Sequence, residues 1–190
     1  MKRCDWVIEG DALYENYHDT EWGVPNYDSK SLYAKLILDG FQAGLSWRTI
    51  LHKRDNFLDA FDGLDPEKVA RYGDQKVESL LQNAGIIRHR GKITGAIMNA
   101  QLWCSMMEAG EDFSSYLWGF FGNLPRQNAW KDISEVPATT PEGDALAKDL
   151  RKRGFKFCGP TIVYAFAQAV GMVNDHLVTC PRHQEVAALA

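Results

Sequence analysis

Apolar residues in this chain recur at helical spacing, and no stretch shows the alternation of a half-buried strand. Between Lys30 and Leu38, the positions Leu32, Tyr33, Leu36 and Ile37 fall on one stripe; Trp47, Ile50, Leu51, Phe57, Leu58 and Phe61 continue the same period. Asp65-Pro66-Glu67 supplies an N-cap, a proline at the first helical position and an acid in the first turn, and Thr140-Pro141-Glu142 repeats the device. Gly85, Gly110, Gly154 and Gly171 each follow an apolar periodic stretch, where a left-handed residue stops a helix. This punctuation predicts about eight helices in an all-α fold, with 119–136 as the one long irregular connection. A chain of 190 residues is expected to fold as a single compact unit over 1–190.

Charge and composition narrow the function classes. The longest apolar stretch, from Cys158 to Met172, is interrupted by Gly159, Pro160, Gln168 and Gly171, so no run of about 18 to 20 apolar residues spans a bilayer. Met1 to Trp6 carry basic residues without an apolar signal region, and a cytoplasmic location is expected. The net charge of −4 argues against a uniformly basic, nucleic-acid-binding surface. Basic residues nevertheless cluster at 52–54, 88–92 and 151–156, leaving room for a local basic face. Four cysteines in a reducing compartment read as thiols or metal ligands rather than as a disulfide framework.

Three constellations carry chemistry. The stretch from Val77 to Ala100 reads as helix, glycine-flanked turn and helix, with Gly85 and Gly91 around Arg88 and Arg90 and with Lys92 just beyond. Backbone N–H groups at the start of a second helix can hold a DNA phosphate beside Arg or Lys, although an ordinary αα-hairpin with a solvated basic turn fits the same residues. Cys4 and His18 near one end, with His176 and Cys180 at i and i+4 near the other, make up a Cys₂His₂ set that closes a tetrahedral zinc shell. Buried thiols with unrelated histidines are the competing reading, and His183 is a further candidate ligand. Cys104 and Cys158 lie in apolar runs and are expected in the core. Finally, Tyr14, Tyr17, Trp22 and Trp47 accompany Asp39, a carboxylate at the C-terminal end of an apolar helix, where it opposes the macrodipole. Gly40 and Gly44 allow a backbone or a flat ligand to approach; simple core packing is the alternative for the rings.

Together, these segments resemble the bacterial 3-methyladenine DNA glycosylase I family, within the helix-hairpin-helix glycosylases. The resemblance runs nearly end to end and rests on Arg3-Cys4-Asp5-Trp6, the stretch Tyr17 to Pro25, Asp39 to Trp47, Ala84 to Ile93, Lys152 to Phe157 and Val173 to His176. It implies a structural Zn²⁺ on Cys4, His18, His176 and Cys180, joining the two ends of the chain. It also implies a base pocket walled by Tyr14, Tyr17, Trp22 and Trp47, with Asp39 as the recognising and catalytic acid. The family carries Glu at this position in well-known members, one methylene longer than the Asp here. Gly85, Arg88, Arg90, Gly91 and Lys92 are the implied phosphate contacts, and Gly44-Leu45 the wedge into the gap left by a flipped base. The implied activity is hydrolysis of the N-glycosidic bond of 3-methyladenine in double-stranded alkylated DNA, without a lyase step, by a monomer. The wider superfamily's aspartate downstream of the hairpin is absent from this family, and Glu108, Glu111 and Asp112 read as an exposed turn. The main alternative is a non-catalytic, zinc-containing DNA-damage-binding protein; a helical interaction module without DNA is a third reading.

Overall fold

The computed structural model describes residues 2–189. Among them eleven α-helices follow one another: α1 (Ala12–Thr20), α2 (Ser29–Gln42), α3 (Trp47–Leu51), α4 (Arg54–Ala60), α5 (Pro66–Val69), α6 (Asp74–Gln82), α7 (Arg90–Glu108), α8 (Phe113–Gly119), α9 (Pro141–Arg153), α10 (Pro160–Ala169) and α11 (Pro181–Ala187). The chain is mostly helical, as its periodicity predicts. One exception is a two-residue parallel pair, β1 (Arg126–Gln127) beside β2 (Val173–Asn174), too short to leave an alternating signal. No helix among the described residues is long and apolar enough to cross a membrane.

The helices outnumber the expected eight because local turns cut apolar runs that share one period. Ser46 accepts a hydrogen bond from the Thr49 N–H and starts α3 afresh, and the chain turns at His52 and Lys53 before α4. Gly63 and Leu64, at φ 78° and 55°, separate α4 from α5. The two proline-led starts form as expected: Asp65 caps α5, accepting from the Glu67 N–H, and Thr140 caps α9, accepting from the Gly143 N–H at 3.2 Å. Gly110, Gly154 and Gly171 adopt the predicted left-handed conformation. Gly85 does not; α6 ends at Asn83, whose side chain accepts the Gly85 N–H at 2.8 Å. Pro181 opens α11, so His176 and Cys180 span the turn that precedes it.

The core lies around α2, which packs against α7 and α10, with Tyr33, Phe41, Phe57, Phe61, Phe113 and Phe166 buried in it. Burial of such side chains contributes roughly 1.5–3 kcal/mol each relative to exposure. Cys158 joins this core, and Cys104 sits half-buried against it. The end of α10 is fastened to the segment after α1: the Gly23 N–H donates to Ala169 O at 3.3 Å and the Asn26 N–H to Val170 O at 3.0 Å. Gly171 turns the chain away at φ 77°, directly against the Gly23–Pro25 backbone.

Candidate active site

The C-terminal half of α2 presents Lys35 and Asp39 on one face, four residues apart. The Lys35 ammonium donates to Asp39 Oδ1 at 2.5 Å, while Oδ2 of this almost wholly buried carboxylate has no partner. Gly44, at φ 78°, reverses the chain after α2, and Trp47 then opens α3. Its ring lies under the Lys35 ammonium, 3.9 Å from the centroid, and its buried indole N–H is likewise without a partner. Tyr14 and Tyr17 project from α1 and Trp22 follows it; Tyr17 packs 5.3 Å from Trp47, centroid to centroid. These side chains and Asp39 line one cavity of about 370 Å³. All five residues expected in a base pocket are therefore brought together.

Sequence reasoning missed Lys35, Gln42, Gln168 and Asp175, the other polar residues of the lining, and gave Trp6 no place in it. The i,i+4 spacing of Lys35 and Asp39 was the available signal for the lysine. Asp175 is a buried acceptor for four neutral donors: Asn128 Nδ2, Trp130 Nε1 and Tyr164 OH at 2.7 Å, and Gln168 Nε2 at 2.8 Å. It thereby holds the 119–136 connection, and with it one rim of the cavity, against α10. Trp6 packs edge-on against Tyr14 and Trp22, with centroids 5.3 and 5.0 Å away.

Burial raises the Asp39 carboxyl above the ordinary carboxylate range, with the Lys35 charge opposing. Burial also lowers the Lys35 ammonium, with Asp39 opposing. The Tyr17 hydroxyl is pushed well up, first by burial and then by the Asp39 charge. The unfavourable placement of an acid at the end of α2 is offset from α7: the buried Lys92 donates to Phe41 O at 3.0 Å and to Ala43 O at 2.6 Å. Lys92, expected at the DNA, thus has its ammonium engaged inside the protein, and its N–H donates to His89 Nδ1.

The other expected DNA contacts divide. Arg88 is exposed on the turn between α6 and α7, and Arg90 is exposed but paired with Glu78 at 2.7 Å. Gly91 lies exposed in the first turn of α7. At Gly85 the N–H is held by Asn83, and the carbonyl accepts from Lys53 Nζ at 3.3 Å. Gly44 has open space around it, and Leu45 beside it is 41% exposed. Gly40 instead packs against Phe157 Cβ, so its missing side chain makes room for protein. Glu108 and Asp112 are exposed, with Asp112 capping α8, and Glu111 binds Arg153.

Beside the cavity, Cys4, His18, His176 and Cys180 meet, all buried, with their ligand atoms within 4.8 Å of one another. Cys4 Sγ lies 3.6 Å from His176 Nδ1, and Cys180 Sγ lies 3.6 Å from His18 Nε2 and 3.9 Å from His176 Nδ1. With Zn–S near 2.3 Å and Zn–N near 2.05 Å, a tetrahedral S···N edge is about 3.6 Å, so this donor set fits zinc. The outer ring nitrogens are also held: His18 Nδ1 faces Asp19 Oδ1 at 2.7 Å, and His176 Nε2 faces Trp22 O at 2.9 Å. His183 turns to Asn128 O and stays outside the set.

Comparison with known proteins agrees with this geometry. Residues 6–183 match the family model described as methyladenine glycosylase. The chain is 51% identical to DNA-3-methyladenine glycosylase 1 of Escherichia coli over 95% of its length and 96% of the relative's. It is 45% identical to DNA-3-methyladenine glycosylase of Haemophilus influenzae over 94% and 96%. A crystal structure of a 3-methyladenine DNA glycosylase I superposes with a TM-score of 0.93 at 50% identity, covering 95% of this chain and 98% of the other. The Staphylococcus aureus enzyme, solved for its recognition of 3-methyladenine, gives a TM-score of 0.87 at 38% identity over 90% and 92%. Matched by this family model and, nearly end to end, by these relatives, the chain that builds an aromatic cavity around a half-satisfied acid belongs to the methyladenine glycosylase family.

Proposed function

We propose that this protein excises 3-methyladenine from alkylated double-stranded DNA by hydrolysing its N-glycosidic bond, leaving an abasic site. The observation that carries this reading is the unpartnered Asp39 Oδ2, buried among aromatic rings in a cavity of base size. A buried acceptor without a donor costs free energy, and an exocyclic amine of a flipped purine supplies the missing donor. The orphaned Trp47 N–H offers a complementary donor. Methylation at N3 gives the attached purine a positive charge, so the base is already a good leaving group. Aromatic stacking favours that cation by roughly 0.5 to 2 kcal/mol, and the Asp39 carboxylate adds charge complementarity. The glycosidic bond breaks with its electrons moving to the base, water adds to the sugar cation, and no amine nucleophile is required.

On the DNA side, the α6–α7 turn acts as a helix-hairpin-helix element, offering Arg88, Arg90 and the Gly91 backbone to a phosphate. Leu45, exposed at the tip beyond Gly44, fills the gap left by the flipped nucleotide. Cys4, His18, His176 and Cys180 hold zinc in a closed shell, which supplies folding energy. The protein works as a monomer in the cytoplasm. A second reading, binding of damage without excision, draws on the engagement of Asp39 by Lys35.

Chromatography of bases released from methylated DNA tests the two. The unsubstituted protein is expected to release 3-methyladenine, and Asp39→Asn to release it about ten- to a hundredfold more slowly, a loss of about 1.4–2.7 kcal/mol. DNA binding without any base release would favour the second reading.

A further inference from the structure

The two interactions that a cationic base needs in this pocket are already made within it. Lys35 donates to Asp39, and its ammonium lies 3.9 Å from the centre of the Trp47 ring. We propose that Lys35 is a specificity-determining residue: its ammonium occupies the place of the base's positive charge, so a cationic base must displace it from Asp39 and Trp47. This inference rests on the base-pocket reading above. Two like charges cannot share one ring face and one carboxylate without strong repulsion in a desolvated site. A neutral base, including the free base left after hydrolysis, needs no such counter-charge and meets no such opposition. Lys35 thus lowers the pocket's preference for cationic over neutral purines below what Asp39 and the rings alone would give.

The surroundings allow the displacement. Lys35 also lines a second cavity, of about 600 Å³, on the side of Glu21 and Arg54. The charged and titratable groups around it are Asp39 on its own helix, Glu21 after α1 and Arg54 on α4, with Tyr17 beside Asp39. Glu21 is bound by Arg54 at 2.5 and 3.0 Å and offers a carboxylate at the mouth of that second cavity.

Tryptophan fluorescence titration tests the proposal with two probes, neutral 3-methyladenine and the fixed cation 3,9-dimethyladeninium, on the unsubstituted protein, Lys35→Met and Lys35→Gln. Methionine keeps the length of the side chain without its charge; glutamine keeps a donor. Both variants are expected to raise the ratio of cation affinity to neutral-base affinity by about tenfold. A lysine that merely braces Asp39 would change both affinities alike, so a ratio unchanged within about twofold, or a fall in the ratio, overturns the proposal. Failure of the unsubstituted protein to bind either base overturns it as well. A shifted ratio in a protein that releases no base from methylated DNA would uphold the role of Lys35 and reject excision.

Discussion

Gly171→Ala is expected to destabilise the protein by about 4 kcal/mol, lowering the melting temperature by about 10 °C. Two independent costs combine at this position. The backbone stands at φ 77°, where an L side chain is strained by about 1–2 kcal/mol. An added Cβ would also lie 2.5 Å from Pro25 N, 2.6 Å from Val24 C and 2.7 Å from Gly23 O. These are backbone atoms, fixed by the bonds from Gly23 to Ala169 and from Asn26 to Val170, so relief requires separating α10 from the segment after α1. Gly110→Ala provides the control: the backbone is at φ 79°, but nothing lies within 4 Å of the added atom, and the expected cost is about 1 kcal/mol. Chemical denaturation of the two variants separates the terms; equal losses would remove the steric argument.

Cys180→Ser is expected to abolish stoichiometric zinc binding and to lower the melting temperature by about 10 °C or more. The shell has no spare donor, since His183 is committed to Asn128. The loss would also reach the cavity. The His176 ring sits 4.6 Å from Trp22, and Trp6 packs on both His18 and Trp22, so the cysteine–histidine cluster forms the back of one pocket wall. At low temperature the variant should still bind 3-methyladenine, because Asp39 and Trp47 belong to α2 and α3. Metal analysis beside a thermal scan decides the matter; retention of zinc with unchanged melting would refute the assignment.

The caps at Asp65 and Thr140 and the glycine stops at 110, 154 and 171 were legible because each depends on a few adjacent residues. The five pocket residues could not be told from core packing by their own pattern; the resemblance to the glycosylase family singled them out, and the fold brings them round one cavity. The remainder depended on chain segments that approach from far away. Lys92 stands in a basic turn and reads as solvated, yet its stem reaches from α7 to the carbonyls of Phe41 and Ala43 at the end of α2. Gly85 reads as a helix stop, but Asn83 and Lys53 consume its N–H and carbonyl. Lys35 is marked only by its i,i+4 spacing from Asp39, which any surface ion pair shares until Trp47 is folded back over it. Asp175 gathers donors from 128, 130, 164 and 168, a convergence that no local pattern encodes.

The cysteine–histidine cluster spans 172 positions between Cys4 and His176. During synthesis, Tyr14, Tyr17 and Trp22 leave the ribosome early, and Trp47, which packs on Tyr17, follows soon after, but His176, which packs on Trp22, emerges only after almost everything else has been translated. The early segment docks on α3 and α4 first, through Arg48 to Asp11 and Arg54 to Glu21, and its fastening to α10 and His176 is a late step. A nascent or prematurely ended chain would consequently possess Asp39 and Trp47 without Gln168 and Asp175 of the cavity lining or His176 behind Trp22. Completeness of the polypeptide is in this way built into competence: a fragment has no finished pocket with which to handle a chromosome.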